Sequence, residues 1–295
     1  MLTSTIRALL DNAMMGSGQI VVMTGAGVSA ESGIPTFRGK EGYWKVASRE
    51  YHPQELATWS AFSSAPKIVW PWYLYRRAMC RNSSPNHAHF ALVQLESALG
   101  NRFNLVTQNV DGLHIRAGST LERCYEVHGN IDYMRCSEEC GLKYELNSAP
   151  NTLCSRMDFL CPVPDDLGPI AKNAGFEESW EESLRCTGCG AWMRPHVLWF
   201  DESYDELKYR FESSLQAAMK ADLLITAGSS GATNLPMMMA ELAMDSNTPI
   251  IDVNIEANPF SKFAVRFQGD ITATAGDGLP PIAEYIGGAY DKAND

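Results

Sequence analysis

The sequence predicts an α/β fold: a Rossmann-like doubly wound parallel sheet, interrupted by a smaller cysteine-bearing insert and a helical excursion. Three observations carry that expectation. Short β-branched and apolar runs recur at Gln19–Met23, Phe103–Thr107, Leu223–Ala227 and Ile250–Val253, as strands buried on both faces would read. Helical segments fill the intervals, notably His87–Ala98 and Leu207–Ala221, the alternation that builds a doubly wound sheet. The stretch Ile131–Arg194 breaks the rhythm with two cysteine pairs, a Pro/Asp-rich passage and an acidic segment, Glu177–Glu182. A chain of 295 residues, 45% of them hydrophobic, suits one large α/β domain carrying a smaller insert.

From the N-terminus, Ile6, Leu9, Leu10 and Met14 form an amphipathic pattern that breaks at Gly16-Ser17-Gly18. It lacks a basic start, an apolar centre and a small-residue cleavage site, so a first helix packed on the main domain is expected rather than a signal peptide. Gln19–Met23 then feeds a glycine-rich turn. Lys40–Asn86, rich in Trp and Tyr, is expected to be helical. The later strand-like runs end in Gln108-Asn109, Gly228-Ser229-Ser230 and Asn254, where the carboxyl ends of parallel strands line a ligand crevice. The division that follows is residues 1–39, 87–130 and 195–295 as the large nucleotide-binding domain, 40–86 as a helical module and 131–194 as the insert.

The turn reads Thr24-Gly25-Ala26-Gly27-Val28-Ser29-Ala30-Glu31-Ser32-Gly33-Ile34-Pro35. Glycines after a strand let the backbone approach a pyrophosphate. Gly33 does not fall where the usual dinucleotide fingerprint sets its third glycine, and no ribose-binding acid follows a second strand at the usual distance. The turn is therefore read as a variant nucleotide loop.

Eight cysteines in a chain without an export signal, clustered in short pairs, favour metal over disulfides and a reducing, cytoplasmic compartment. Cys186-Thr-Gly-Cys189 reads as a zinc knuckle and Cys136-Ser-Glu-Glu-Cys140 as its partner half. Four thiolates saturate a tetrahedral zinc ion and leave no place for a reactive water, so the metal is expected to be structural. Cys154 and Cys161 lie between the pairs as competing ligands and are read as spare thiols. Cys80 and Cys124 are read as buried small hydrophobes.

Together these residues resemble the sirtuin family, in family order from about Val21 to Leu279. Gly25-Ala26-Gly27 with Ser29, Ser32-Gly33-Ile34-Pro35 and Phe37-Arg38 resembles its NAD loop. Thr107-Gln108-Asn109-Val110-Asp111, with Leu113-His114 and Ala117-Gly118, resembles its nicotinamide and ribose motif. Val127-His128-Gly129 is similar to its catalytic motif, and Pro195-His196-Val197 with Trp199-Phe200 to its substrate strand. The resemblance implies NAD as co-substrate, acylated lysine proteins or peptides as partners, and one structural zinc. It makes His128 the general base, with Asn109 beside it. An imidazole that titrates near neutral pH suits that task.

The resemblance further sets Asp111 on the nicotinamide carboxamide, Gln108 and Asn109 on the ribose, and Phe37 and Arg38 over the reacting sugar. Ile34 belongs to the same loop. Gly228, Ser229 and Ser230 resemble the family's glycine-serine motif, Asn254 its adenosine-ribose contact and Ala275 its adenine turn. Three departures stand out. The cysteine half Cys136–Cys140 is one residue wider than usual, the stretch from Gly228 to Pro236 one residue longer, and Asp201 stands where the family typically has glycine. There an aspartate adds charge beside the peptide channel.

Tyr73 and Arg76 resemble the Y-x-x-R pair of the class III sirtuins, which remove succinyl, malonyl and glutaryl groups. Residues three apart share a helix face, so a phenol and a guanidinium could grip one distal carboxylate. Ala57 falls where those enzymes carry a small residue. Val197, Trp199 and Phe200 would line the substrate cleft. Two other readings stay open at this stage: ADP-ribosyl transfer or NAD hydrolysis on the same scaffold, and NAD binding without turnover.

The net charge of −11 and the lack of a dense basic run give no footprint for nucleic acid. No apolar stretch approaches the roughly 20 residues of a membrane-spanning helix. A monomer is the expectation.

Overall fold

The structure, a computed structural model, describes residues 2–36, 44–46, 49–140, 159–168, 170–266 and 273–294. In chain order its strands are β1 (Gln19–Thr24), β2 (Trp44–Val46), β3 (Arg49–Tyr51), β4 (Phe103–Thr107), β5 (Cys124–Glu126), β6 (Gly129–Cys136), β7 (Cys161–Pro162), β8 (Met193–Val197), β9 (Ala221–Ala227), β10 (Ile250–Val253) and β11 (Val265–Arg266). The helices are α1 (Ser4–Met15), α2 (Pro53–Leu56), α3 (Trp59–Ser64), α4 (Pro66–Asn82), α5 (His87–Leu99), α6 (Leu113–Ala117), α7 (Glu206–Tyr209), α8 (Phe211–Met219), α9 (Asn234–Asp245) and α10 (Ala275–Asn294).

Six strands form one parallel sheet in the order β11-β10-β9-β1-β4-β5. β1, β4, β9 and β10 are buried almost throughout because helices cover both faces, which is why their sequences read as apolar runs. On one face α1, α5 and α10 pack Leu10, Leu92, Leu95, Leu279 and Ile282 against Ile20, Val22 and Leu105. On the other, α8 and α9 pack Ala218, Leu235 and Met239 against Val21, Met23 and Leu224. A separate core, with Leu56, Phe62, Trp70, Ile131, Leu184 and Trp199, joins α2, α3 and α4 to the antiparallel sheet β7-β6-β8. The sheet is the doubly wound architecture expected.

The chain runs outward from β1 through β4 to β5, then returns to the other flank of β1 as β9. That reversal opens a crevice at the carboxyl ends of β1 and β9, where an open α/β sheet binds its ligand.

Beyond shifts of one or two residues at strand and helix ends, two segments differ from expectation. The excursion 40–86 is not wholly helical: β2 and β3 form an antiparallel hairpin with Trp44 opposite Tyr51 and Val46 opposite Arg49. Its Trp-Lys-Val run alternates apolar and polar residues, the period of a strand. The segment Leu207–Ala221 is two helices, and its last residue already belongs to β9. Arg210 adopts the left-handed conformation, φ 52°, while the Glu206 carboxylate crosses the break to accept from Ser213 N at 2.9 Å. Asp205 caps the first piece by accepting from Lys208 N at 2.7 Å, as N-cap aspartates do.

Candidate active site

The crevice is built by glycines that let two loops touch. Gly25 N donates to Ala227 O at 3.1 Å and Gly27 N to Gly228 O at 2.9 Å. A Cβ on Gly27 would lie 2.7 Å from Gly228 Cα, so only glycine permits this approach. From Ala26 to Ser32 the chain winds as a 3₁₀ turn rather than a long α-helix. Asn86 at the start of α5 ties it down, its amide donating to Val28 O at 2.8 Å and Ser32 Oγ at 3.0 Å.

Three polar side chains predicted from two separate motifs meet behind this turn. Ser29 Oγ donates to Asp111 Oδ2 at 2.7 Å and accepts from Asn109 Nδ2 at 3.0 Å. All three residues are buried. Burial pushes the Asp111 carboxyl upward, while the Ser29 hydroxyl and the Leu113 N–H hold the anion. Gln108 spans the crevice: its amide donates to Ser229 Oγ at 2.8 Å and its carbonyl accepts from Thr233 Oγ1 at 3.1 Å.

His128 sits between the large sheet and β8. Its Nδ1 lies 2.9 Å from Gln108 O. A carbonyl only accepts, so Nδ1 carries the proton and Nε2 the lone pair. Burial pushes the ring's pKa down to about 4, against the Gln108 contact, so the neutral imidazole is the resting form. The next residue, Gly129, has φ 84°, and a Cβ there would fall 2.0 Å from His196 O. Glycine is what lets β6 lie close to β8, where Leu198 N donates to His128 O at 2.9 Å.

The expected acyl-pocket residues form one connected wall. Phe200 N donates to Ala57 O at 3.0 Å. Trp199 Nε1 donates to Tyr73 Oη at 2.7 Å, and Tyr73 keeps its own hydroxyl proton because burial raises its pKa. Arg76 lies one turn further along α4, 5.2 Å over the Trp72 ring, close enough for its charge to act on Tyr73. Ala57, Tyr73, Val197 and Trp199 are buried, and Phe200 is 59% exposed.

Cys136, Cys140, Cys186 and Cys189 converge with their four Sγ atoms within 4.8 Å of one another. Two of the separations, Cys136–Cys189 and Cys140–Cys186, are 3.5 Å. Zinc–sulfur bonds of about 2.3 Å in a tetrahedron need sulfurs about 3.8 Å apart, so the donor set fits one ion. Burial opposes the Cys186 thiolate, yet the N–H groups of Gly188 and Cys189 pull its pKa down to about 7. Cys161 is exposed on β7 and outside this cluster. Cys154 lies outside the described residues.

A family profile described as the Sir2 family matches residues 25–234. A protein of Leptospira interrogans named NAD-dependent protein deacylase is 39% identical over 268 residues, 91% of this chain and 93% of that protein. The chain belongs to the Sir2 family. A Danio rerio protein named NAD-dependent protein deacylase sirtuin-5, mitochondrial, is 36% identical over 273 residues, 90% of this chain and 82% of its own length. Among solved structures, a Sir2 homologue in complex with NAD superposes with a TM-score of 0.73 at 30% identity, covering 96% of this chain and 94% of that one. NAD is thus the co-substrate, and the four-cysteine cluster fits the structural zinc.

Of the remaining positions expected from the Sir2 motifs, Ser230 is exposed and Ile34 and Ala275 are buried. The Asn254 amide donates to buried Asp252, which also accepts from Thr226 and Asn258. Phe37 and Arg38 lie outside the described residues.

Asp201, which departs from the Sir2 pattern, has a defined task. Its carboxylate accepts from Trp59 N at 2.7 Å and Ser60 N at 3.0 Å, capping α3 directly after the Ala57 segment. Beside it, Glu202 grips Arg194 with both oxygens and accepts from Trp199 N at 3.0 Å. Arg194 in turn lies 3.5 Å from the Trp199 ring centre. The role of this Arg194–Glu202 clasp was not evident in the sequence, because an arginine on a strand gives no sign of facing inward. Removing a helix-capping carboxylate typically costs about 1 kcal/mol, so Asp201→Ala should lower unfolding stability by that amount in a urea titration. An unchanged midpoint would mean the cap contributes nothing.

Proposed function

We propose that this Sir2 protein, an NAD-dependent protein deacylase, removes acidic acyl groups such as succinyl and malonyl from lysine in preference to acetyl. The observation that carries the preference is the Tyr73–Arg76 pair. The Tyr73 oxygen already accepts from Trp199, so its proton is left to donate, and the Arg76 charge stands beside it. A distal carboxylate entering past Ala57 would receive both a neutral and a charged donor.

NAD supplies the scissile nicotinamide–ribose bond and the ADP-ribose that accepts the acyl group. The chain's own residues bind, orient and move a proton. His128 Nε2 takes the proton of a ribose hydroxyl, with Nδ1 held on Gln108 O. Asn109 and Gln108 hold the ribose. Asp111, kept in place by Ser29 and Leu113 N, receives the nicotinamide amide. Gly25, Ala26, Gly27 and Gly228–Ser230 cradle the phosphates, while Asn254 and Ala275 serve the adenosine end. Trp199 and Phe200, continuing from Val197, flank the incoming lysine. Among the described residues no helix is long and apolar enough to cross a membrane. Four cysteines arranged for metal rather than for disulfides fit a reducing compartment, and the cytoplasm is the placement proposed.

The test is product analysis on matched succinyl and acetyl peptides with NAD. O-acyl-ADP-ribose from the succinyl peptide is expected. Free or protein-bound ADP-ribose as the main product would defeat the deacylase reading, and a preference for acetyl would defeat only the acyl assignment. Arg76→Met sharpens the test. Losing one side of a partly desolvated charged pair costs about 2–5 kcal/mol, so kcat/KM for succinyl-lysine should fall by about 30-fold or more. Acetyl-lysine, which has no distal charge, should be little affected. Equal losses on both substrates would show that Arg76 shapes the cleft without reading charge.

A further inference from the structure

His128 Nε2 has one in-plane lone pair, and it is already taken. Tyr204 Oη lies 2.8 Å from it. Because Nδ1 holds the ring's proton against Gln108 O, the tyrosine hydroxyl must be the donor. Tyr204 is held in that pose from behind. Its ring stacks on Phe211 at 5.3 Å and 16°, and the next residue, Asp205, is fixed as the cap of α7. Burial pushes the phenol up to about 12, against the Thr233 hydroxyl beside it, so it stays a donor at any working pH.

We propose that Tyr204 is a positioning residue that occupies the basic nitrogen of His128 in the NAD-free protein and yields it to the ribose hydroxyl when NAD binds. The proposal rests on the reading of His128 as the base. A ribose hydroxyl can deliver its proton to Nε2 only through the lone pair that Tyr204 fills, and one lone pair does not serve two donors. Until then Tyr204 fixes the ring's orientation and its tautomer, with Nε2 unprotonated. The exchange swaps one hydroxyl donor for another, so the pocket never leaves Nε2 unsatisfied.

The experiment is a double-mutant cycle on NAD affinity, read by calorimetry on the zinc-loaded protein. It compares wild type, Tyr204→Phe, His128→Ala and the double variant. Phenylalanine keeps the stack on Phe211 and removes only the competing hydroxyl. A neutral hydrogen bond has a small net worth, so Tyr204→Phe should tighten NAD binding by about 2- to 10-fold when His128 is present. In the His128→Ala background it should change nothing, because there is no Nε2 to release. Equal shifts in both backgrounds, no shift in either, or weaker NAD binding by Tyr204→Phe would overturn the proposal. Turnover of His128→Ala tests the base assignment separately: an active variant would unseat that assignment, whereas the binding cycle judges Tyr204 on its own.

Discussion

His128→Ala is expected to lower kcat for NAD-dependent deacylation by about 10²–10⁴-fold, the usual contribution of a positioned general base. The geometry leaves little room for a substitute. Nε2 is the basic nitrogen because Nδ1 is committed to Gln108 O. The pKa of about 4 keeps that nitrogen unprotonated at neutral pH, and burial is its cause. The other histidines close to the sheet serve elsewhere. His114 meets Thr24 Oγ1 at 3.0 Å and lies 4.8 Å from the His89 ring, the two rings buried together. The effect should appear in kcat more than in NAD affinity, since the phosphate and nicotinamide contacts proposed above fall on Gly25–Ser29 and Asp111. Circular dichroism and a retained cooperative melt would establish that the variant folds. A folded variant turning over at near wild-type rate would remove His128 from the chemistry.

The meeting of the Gly25, Gln108, His128, Gly228 and Asn254 motifs was legible in the sequence because each follows a strand of the parallel sheet. Phe103–Thr107 and Ile250–Val253 have the predicted limits, since strands covered on both faces are continuous apolar runs with polar stops. β5 and β11, of three and two residues, are too short to show a period. The break at Arg210 was equally hidden. Leu207–Ala221 reads as uniformly helical, and side-chain contacts spanning the break accompany its bend: the Glu206–Ser213 bonds and the stacking of Phe211 on Tyr204.

Partners far apart in sequence were the other blind spot. Asp201 was recognisable as a departure, yet its partners Trp59 and Ser60 lie 142 and 141 residues away. Tyr204 and His128 are 76 residues apart and belong to no shared spacing. A pattern of neighbours reports which face a residue takes. It does not report which distant atom that face meets.

The zinc cluster was readable for the opposite reason, since each knuckle is local, and removing its metal should have the largest effect on stability. One zinc per chain is expected by metal analysis. Cys186→Ser should lose it, whereas Cys154→Ser should retain it. Structural zinc binds its peptides with about 10–16 kcal/mol, and that binding energy is folding energy. Here the ion would join the end of β6, at Cys136, to the Cys186–Cys189 turn that precedes β8. Chelation should therefore lower the melting temperature and loosen the β6–β8 pairing, rather than simply inhibit. The damage should reach the active site through Gly129 opposite Val197 and Leu198 N on His128 O, so activity and fold should decline together during chelation. Two results would show that the ligands are misassigned or the metal is not structural: full zinc retention by Cys186→Ser with loss from Cys154→Ser, or a zinc-free protein with an unchanged melt.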